Sequence, residues 1–136
     1  MSATRRIHEL RAARLAGEAA RVMALRDAIE ADVQSVRHAR VYAQGRPRLP
    51  NTSCIALPGV TSETQLMRLD LAGIAVSAGS ACSSGKIAAS HVLLAMGVPA
   101  DEAKCAIRLS LGWDSRPADV TRFLEAWRPL AASAAA

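Results

Sequence analysis

Reactive chemistry in this 136-residue chain is concentrated in Ser77-Ala78-Gly79-Ser80-Ala81-Cys82-Ser83-Ser84-Gly85, with Lys86 directly after it. None of these side chains is bulky enough to anchor the segment in a core. Its two glycines and four serines lower the cost of changing φ and ψ, so residues 77–86 read as a mobile loop. The reactive atom is the sulfur of Cys82. Thiols inside cores behave as small hydrophobes. A thiol among hydroxyls and glycines, with a lysine four residues on to favour thiolate, is instead placed for nucleophilic attack on something that arrives from outside.

A second candidate is Arg108, in the stretch Ala106-Ile107-Arg108-Leu109-Ser110. A charge withdrawn from water beside Ile107 and Leu109 needs a partner. Two kinds of partner suit it: an internal carboxylate such as Asp70 or Asp114, or the carboxylate of a bound molecule gripped by two parallel hydrogen bonds. His91, nine residues past Cys82 at an expected helix start, reads as a packing or surface residue ahead of a base for the thiol. His8 and His38 read as surface residues. Cys54 and Cys105 fall in strand patterns whose apolar neighbours bury a thiol and raise its pKa. Three cysteines without paired spacing argue against a disulfide framework or a zinc site and for reduced thiols in a cytoplasmic setting.

The elements that must position these groups follow from periodicity and punctuation. Thr4 to about Val36 reads as one long helix, or two broken near Gly17, with Leu15, Ala19, Val22, Leu25, Ile29, Val33 and Val36 on one side and Arg21, Asp27 and Glu30 largely elsewhere. Short strands are expected at Arg37–Ala43, from Asn51 to Leu57, at Ile74-Ala75-Val76 and from Ala106 to Ser110. Thr61 or Ser62 caps a helix that Gly73 ends, and Ser90 caps another that Gly97 and Pro99 stop. Asp101 and Glu102 begin a short helix. A last helix runs from Ala118 to about Trp127, with Pro129 as its end and an alanine-rich tail beyond.

Composition sets outer limits. Hydrophobic residues make up 51% but aromatics only 3%, so the core is built from Ala, Leu, Val and Ile. The first 48 residues hold ten arginines against five acids, which accounts for the whole net charge of +5. Those arginines are interleaved with acids and lack stacking aromatics, which makes nucleic-acid binding by a basic helix the weaker reading. No apolar run approaches the roughly 20 residues that span a bilayer, so no membrane partner is expected.

The loop, together with Ser90-His91-Val92-Leu93 and Ala95-Met96-Gly97, resembles the active-site loop and following helix of cysteine desulfurases of the NifS/IscS type, in the class V aminotransferase family. The resemblance extends upstream through Leu49-Pro50-Asn51-Thr52 and Leu69-Asp70-Leu71-Ala72-Gly73-Ile74. Downstream it takes in Ile107-Arg108-Leu109-Ser110-Leu111-Gly112, so it is dense over residues 49–113. Two positions depart from the family pattern: Ser62 stands where the family typically has glycine, and Ala88-Ala89 where it often has Glu-Pro.

The resemblance implies an α+β fold: a two-layer domain with a small, mainly antiparallel sheet covered by helices, similar to the small domain of fold-type I pyridoxal-phosphate enzymes. It implies residues 1–36 as a linking helix or helix pair and 37–130 as the small domain with the catalytic-cysteine loop 77–86; the alanine-rich residues 131–136 are expected to be a disordered tail. It implies Cys82 as the catalytic nucleophile that takes sulfur from L-cysteine as a persulfide, leaving L-alanine, and Arg108 as the substrate-binding residue on the α-carboxylate. In the complete enzyme, pyridoxal phosphate is the electron sink that makes the substrate sulfur a leaving group. The family's cofactor lysine belongs to a large domain. Neither Lys86 nor Lys104 sits in a comparable motif, so no cofactor-binding or metal residue is assigned and the chain alone is expected to bind no cofactor and to be inactive. The implied partners are that large domain or chain and a sulfur-acceptor protein serving iron–sulfur cluster or other sulfur biosynthesis; apolar faces that should meet the large domain make self-association into a homo-oligomer the alternative to such a partner. An autonomous persulfide carrier and a basic-helix nucleic-acid-binding protein are the competing classes.

Overall fold

The computed structural model describes residues 2–79 and 88–134. Its first element, α1 (Ala3–Gln34), is a single helix that passes through Gly17 without a break. The Ser2 side chain caps it by accepting from the Arg5 amide. At ~1.5 Å per residue such a helix outreaches the short strands it covers. Burial accordingly begins only at its second half: Val22, Arg26, Ile29, Glu30 and Val33 are buried, whereas Leu15, expected on the packed face, stands exposed.

Three strands follow the α+β expectation: β1 (Arg40–Tyr42), β2 (Thr52–Ala56) and β3 (Ala106–Ser110), antiparallel in the order β1-β2-β3. The register places Arg40, Val41 and Tyr42 opposite Ala56, Ile55 and Cys54, and Cys54, Ile55 and Ala56 opposite Arg108, Ile107 and Ala106. The fourth strand expected at Ile74-Ala75-Val76 does not form. Only Ser77 reaches the free edge of β3, in one antiparallel bridge to Arg108, while Ile74 and Val76 pack against the main core instead of extending a ladder.

Alternation with a period of two gives the sheet two unlike faces. Ile55, Ile107 and Leu109 point to the main core, which they share with Ile29 and Val33 of α1 and with Val120, Phe123 and Trp127 of α5 (Pro117–Ala134). Helix α2 (Ser62–Leu71) adds Leu69 to this core; Thr61 caps its start, and Gly73 follows its end at φ 75°. Gln65 is fully buried and satisfied, donating to the carbonyls of Val60 and Cys105 and accepting from the Trp127 indole at 3.2 Å. This ties α2, α5 and the entry to β3 together. Among the described residues, the opposite face is covered at one end, where Ala56 and Ala106 meet Leu93 of α3 (His91–Ala95) and Ala103 of α4 (Ala100–Ala103).

Two further expectations are corrected. The last helix does not stop at Pro129 but runs on to Ala134, so residues 131–134 of the expected tail are helical. A proline inside a helix costs about 3 kcal/mol. Leu130 and Ala131 are buried in the main core, and apolar burial worth roughly 2 kcal/mol for a leucine offsets much of that cost.

Glu30, expected off the packed face, is only 2% exposed. Arg48 grips its carboxylate through two bonds of 2.6 and 2.8 Å, Ser53 donates at 2.6 Å and Gln44 at 3.0 Å. Burial works against the charged form, but these hydrogen bonds outweigh it and hold the carboxyl down at about 2. Through this cluster α1 is fastened to β2 and to the turn after β1.

Candidate functional site

Residues 80–87 lie outside the described part of the chain, so Cys82 and Lys86 are known here by sequence alone. The structure does describe the residues flanking this segment, Ser77–Gly79 on one side and Ala88–Ser90 on the other. Ser77 is held by two backbone bonds: its amide donates to the Arg108 carbonyl at 3.1 Å and its carbonyl accepts from the Arg108 amide at 2.7 Å. Ser90 caps α3 by accepting from the Leu93 amide at 3.4 Å. The first of these flanks is therefore fastened to the strand that carries the candidate carboxylate ligand.

Arg108 itself corrects the argument that singled it out. Its side chain is exposed, because it leaves β3 on the side opposite Ile107 and Leu109, beyond the part of that face that α3 and α4 cover. Among the described residues no carboxylate pairs with it, and neither Asp70 nor Asp114 does so. The guanidinium is thus exposed and has no internal carboxylate partner among the described residues.

Across this face the register aligns Tyr42, Cys54, Arg108 and Ser77 in one row, each on its own segment. Directly opposite residues in antiparallel strands point to the same side. Both backbone groups of Arg108 are spent on Ser77, so the Arg108–Cys54 pair is of the non-hydrogen-bonded kind, with Cα atoms at ~4.5 Å and side chains close. Cys54 is half-buried, short of the full core burial expected. Burial pushes its thiol pKa up, and the positive charge of Arg108 pulls it part of the way back. At the far end the Tyr42 hydroxyl donates to the Glu102 carboxylate; burial and this bond together push the phenol pKa up. The sequence placed Ser77 in the reactive segment without giving its side chain a role and did not single out Tyr42, since the row exists only once the strand register is set.

The other candidates fall apart from this row. His91 is exposed as the first residue of α3, and His8 and His38 pair with nothing described as a metal group. Cys105 is buried just before β3, donating its thiol to the Asp101 carbonyl at 3.4 Å. Lys104 is exposed at the C-terminal end of α4. No described helix is long and apolar enough to cross a membrane.

A second exposed feature lies on the opposite side of β3. Arg21 reaches from α1 to the carbonyls of Gly112, Trp113 and Ser115, which fixes the turn after β3, and Trp113 as a residue is 81% exposed. Trp113 and Leu15 wall a cavity of about 350 Å³ rimmed by Arg11, Arg14 and Glu18.

Residues 3–123 match the family model described as aminotransferase class-V. A cysteine desulfurase of Cereibacter sphaeroides is 45% identical over 123 residues, which cover 88% of this chain and 32% of that protein. The cysteine desulfurase NifS of Azotobacter vinelandii is 39% identical over 112 residues, covering 82% of this chain and 28% of its own length. Among solved structures, a NifS-like protein from Rickettsia africae superposes with a TM-score of 0.76 at 30% identity, over 89% of this chain and 31% of that one. The chain thus spans about a third of the length of the curated relatives it matches.

Proposed function

Because this chain belongs to the class-V aminotransferase family, we propose that it is the C-terminal, catalytic-cysteine part of a cysteine desulfurase. In this reading Arg108 grips the α-carboxylate of L-cysteine with its bidentate guanidinium, and the Cys82 thiol takes the substrate sulfur. The sum balances as L-cysteine plus the Cys82 thiol giving L-alanine plus a Cys82 persulfide. The observation that carries the reading is the Ser77–Arg108 bridge, which roots the residues leading to Cys82 on the strand of an exposed arginine that has no carboxylate partner among the described residues. A substrate held by Arg108 would lie within the neighbourhood from which those residues depart, and a persulfide formed there could then pass to an acceptor protein for iron–sulfur cluster or other sulfur biosynthesis.

The family implies pyridoxal phosphate, and the described residues do not make a site for it. Their one lysine, Lys104, stands exposed at a helix end with no enclosing pocket of donors. The cofactor would come with the remaining two-thirds of a class-V polypeptide, which supplies the electron sink when bound. The exposed Trp113–Leu15 surface is the part of this chain we assign to contact with that remainder, because the relatives carry a much larger mass that this chain alone does not account for. Its arginine rim suits an acidic border on the other side.

Reconstitution tests this reading. Joined to a pyridoxal-phosphate-binding class-V segment, the chain should form L-alanine from L-cysteine in step with transferable sulfur, and Cys82→Ser should stop both. Sulfur transfer that persists in Cys82→Ser would sink the assignment.

A further inference from the structure

We propose that the Ser77 hydroxyl is a second ligand for the substrate carboxylate, acting beside Arg108. The inference rests on the reading of Arg108 as the carboxylate ligand and gives a role to a residue that the sequence placed in the reactive segment without one.

Four observations carry it. Ser77 and Arg108 exchange both backbone hydrogen bonds, so they form a directly opposed pair whose side chains leave the same side of the strand edge. Both side chains are exposed, and neither makes a hydrogen bond to a described residue. The other two members of the row are poorly suited to hold a carboxylate, because the Tyr42 hydroxyl is committed to Glu102 and Cys54 is half-buried with only a weak S–H donor. Finally, no carboxylate among the described residues competes for the pair, since Glu102 is engaged by Tyr42 at the far end of the row.

The geometry has a consequence for where the ligand sits. A serine hydroxyl stays close to its backbone, whereas an arginine stem is long. For both to reach one carboxylate, the guanidinium must lie back over Ser77, with the carboxylate low against the edge of β3. The serine then fixes the position along the strand and the arginine supplies the charge. The same carboxylate is thereby tied to the segment that bears Cys82, five residues on.

The experiment uses the reconstituted enzyme with L-cysteine as substrate and L-alanine, which keeps the carboxylate and lacks the sulfur, as competitor. Ser77→Ala should raise KM for L-cysteine and weaken L-alanine competition by about tenfold each, the scale for losing one hydrogen bond to a charged group, with kcat within about twofold. Ser77→Thr, which keeps the hydroxyl, should restore both to within about threefold. The melting temperature should not move in Ser77→Ala, because the bonds that hold this position are backbone bonds. An unchanged KM in Ser77→Ala, alongside a raised KM in Arg108→Lys, would overturn this inference and leave the Arg108 reading standing. An unchanged KM in Arg108→Lys would overturn both. A fall in kcat without a change in KM, or a Ser77→Thr protein no better than Ser77→Ala, would also count against the hydroxyl.

Discussion

Cys54 and Arg108 face each other across β2 and β3 as a close, non-hydrogen-bonded pair, and the charge of one acts on the thiol of the other. Burial raises the Cys54 pKa and Arg108 opposes that rise. Arg108→Gln should therefore push the Cys54 pKa further up and slow its alkylation by iodoacetamide at neutral pH. Mass spectrometry of each labelled cysteine reads this directly. Alkylation of Cys54 that is unchanged or faster in the variant would show that the two side chains are not in electrostatic contact.

The order of thiol reactivity is a second expectation. Cys54 is half-buried with a raised pKa and Cys105 is buried with its thiol bonded to a carbonyl, so both should react slowly with limiting iodoacetamide. Cys82 should be labelled first. Labelling of Cys54 or Cys105 ahead of it would contradict the placement of the chemistry.

Because Arg108 is exposed and has no internal carboxylate partner among the described residues, Arg108→Lys should leave the melting temperature within a degree or so of the parent. Breaking a buried ion pair would instead cost roughly 3–5 kcal/mol. Thermal melting separates the two, and a large drop would mean that the guanidinium serves the fold.

Glu30 carries the opposite expectation. Its carboxyl is held at about 2 against an ordinary 4.5, so it favours the folded state above pH 4.5 and that contribution fades as pH falls through about 2. The shift corresponds to something on the order of 3 kcal/mol. Glu30→Gln should lower stability at neutral pH by an amount of that order and flatten the acid limb of the denaturation profile between these two values. A variant that keeps the parent's acid limb would place the titration elsewhere.

These residues also show what could be read from the chain and what could not. Thr61, Ser90 and Gly73 act within their own turns, so their capping roles were legible from neighbours three residues away or fewer. The three strands and the long helix followed from local periodicity. Glu30 did not, because a charge on a helix is scored as outward-facing while its partners Arg48 and Ser53 lie 18 and 23 residues off. Pro129 reads as a stop signal, and only the burial of Leu130 and Ala131 carries the helix past it. For Arg108 the alternation with Ile107 and Leu109 was visible. That the described helices α3 and α4 do not cover the other face at that point is a tertiary fact. Ser77 was visible as the start of the reactive segment, but its side chain became a candidate ligand only through the bridge to Arg108.

In the proposed reaction, sulfur leaves L-cysteine onto Cys82. Peptide-level mass spectrometry on the reconstituted enzyme after one turnover, with free thiols and persulfides trapped by alkylation, tests it most directly. One added sulfur atom on Cys82, appearing with one equivalent of L-alanine and with Cys54 and Cys105 unmodified, is the result expected. Persulfide sulfur on Cys54 or Cys105 with Cys82 unmodified, or L-alanine release undiminished in Cys82→Ser, would contradict it.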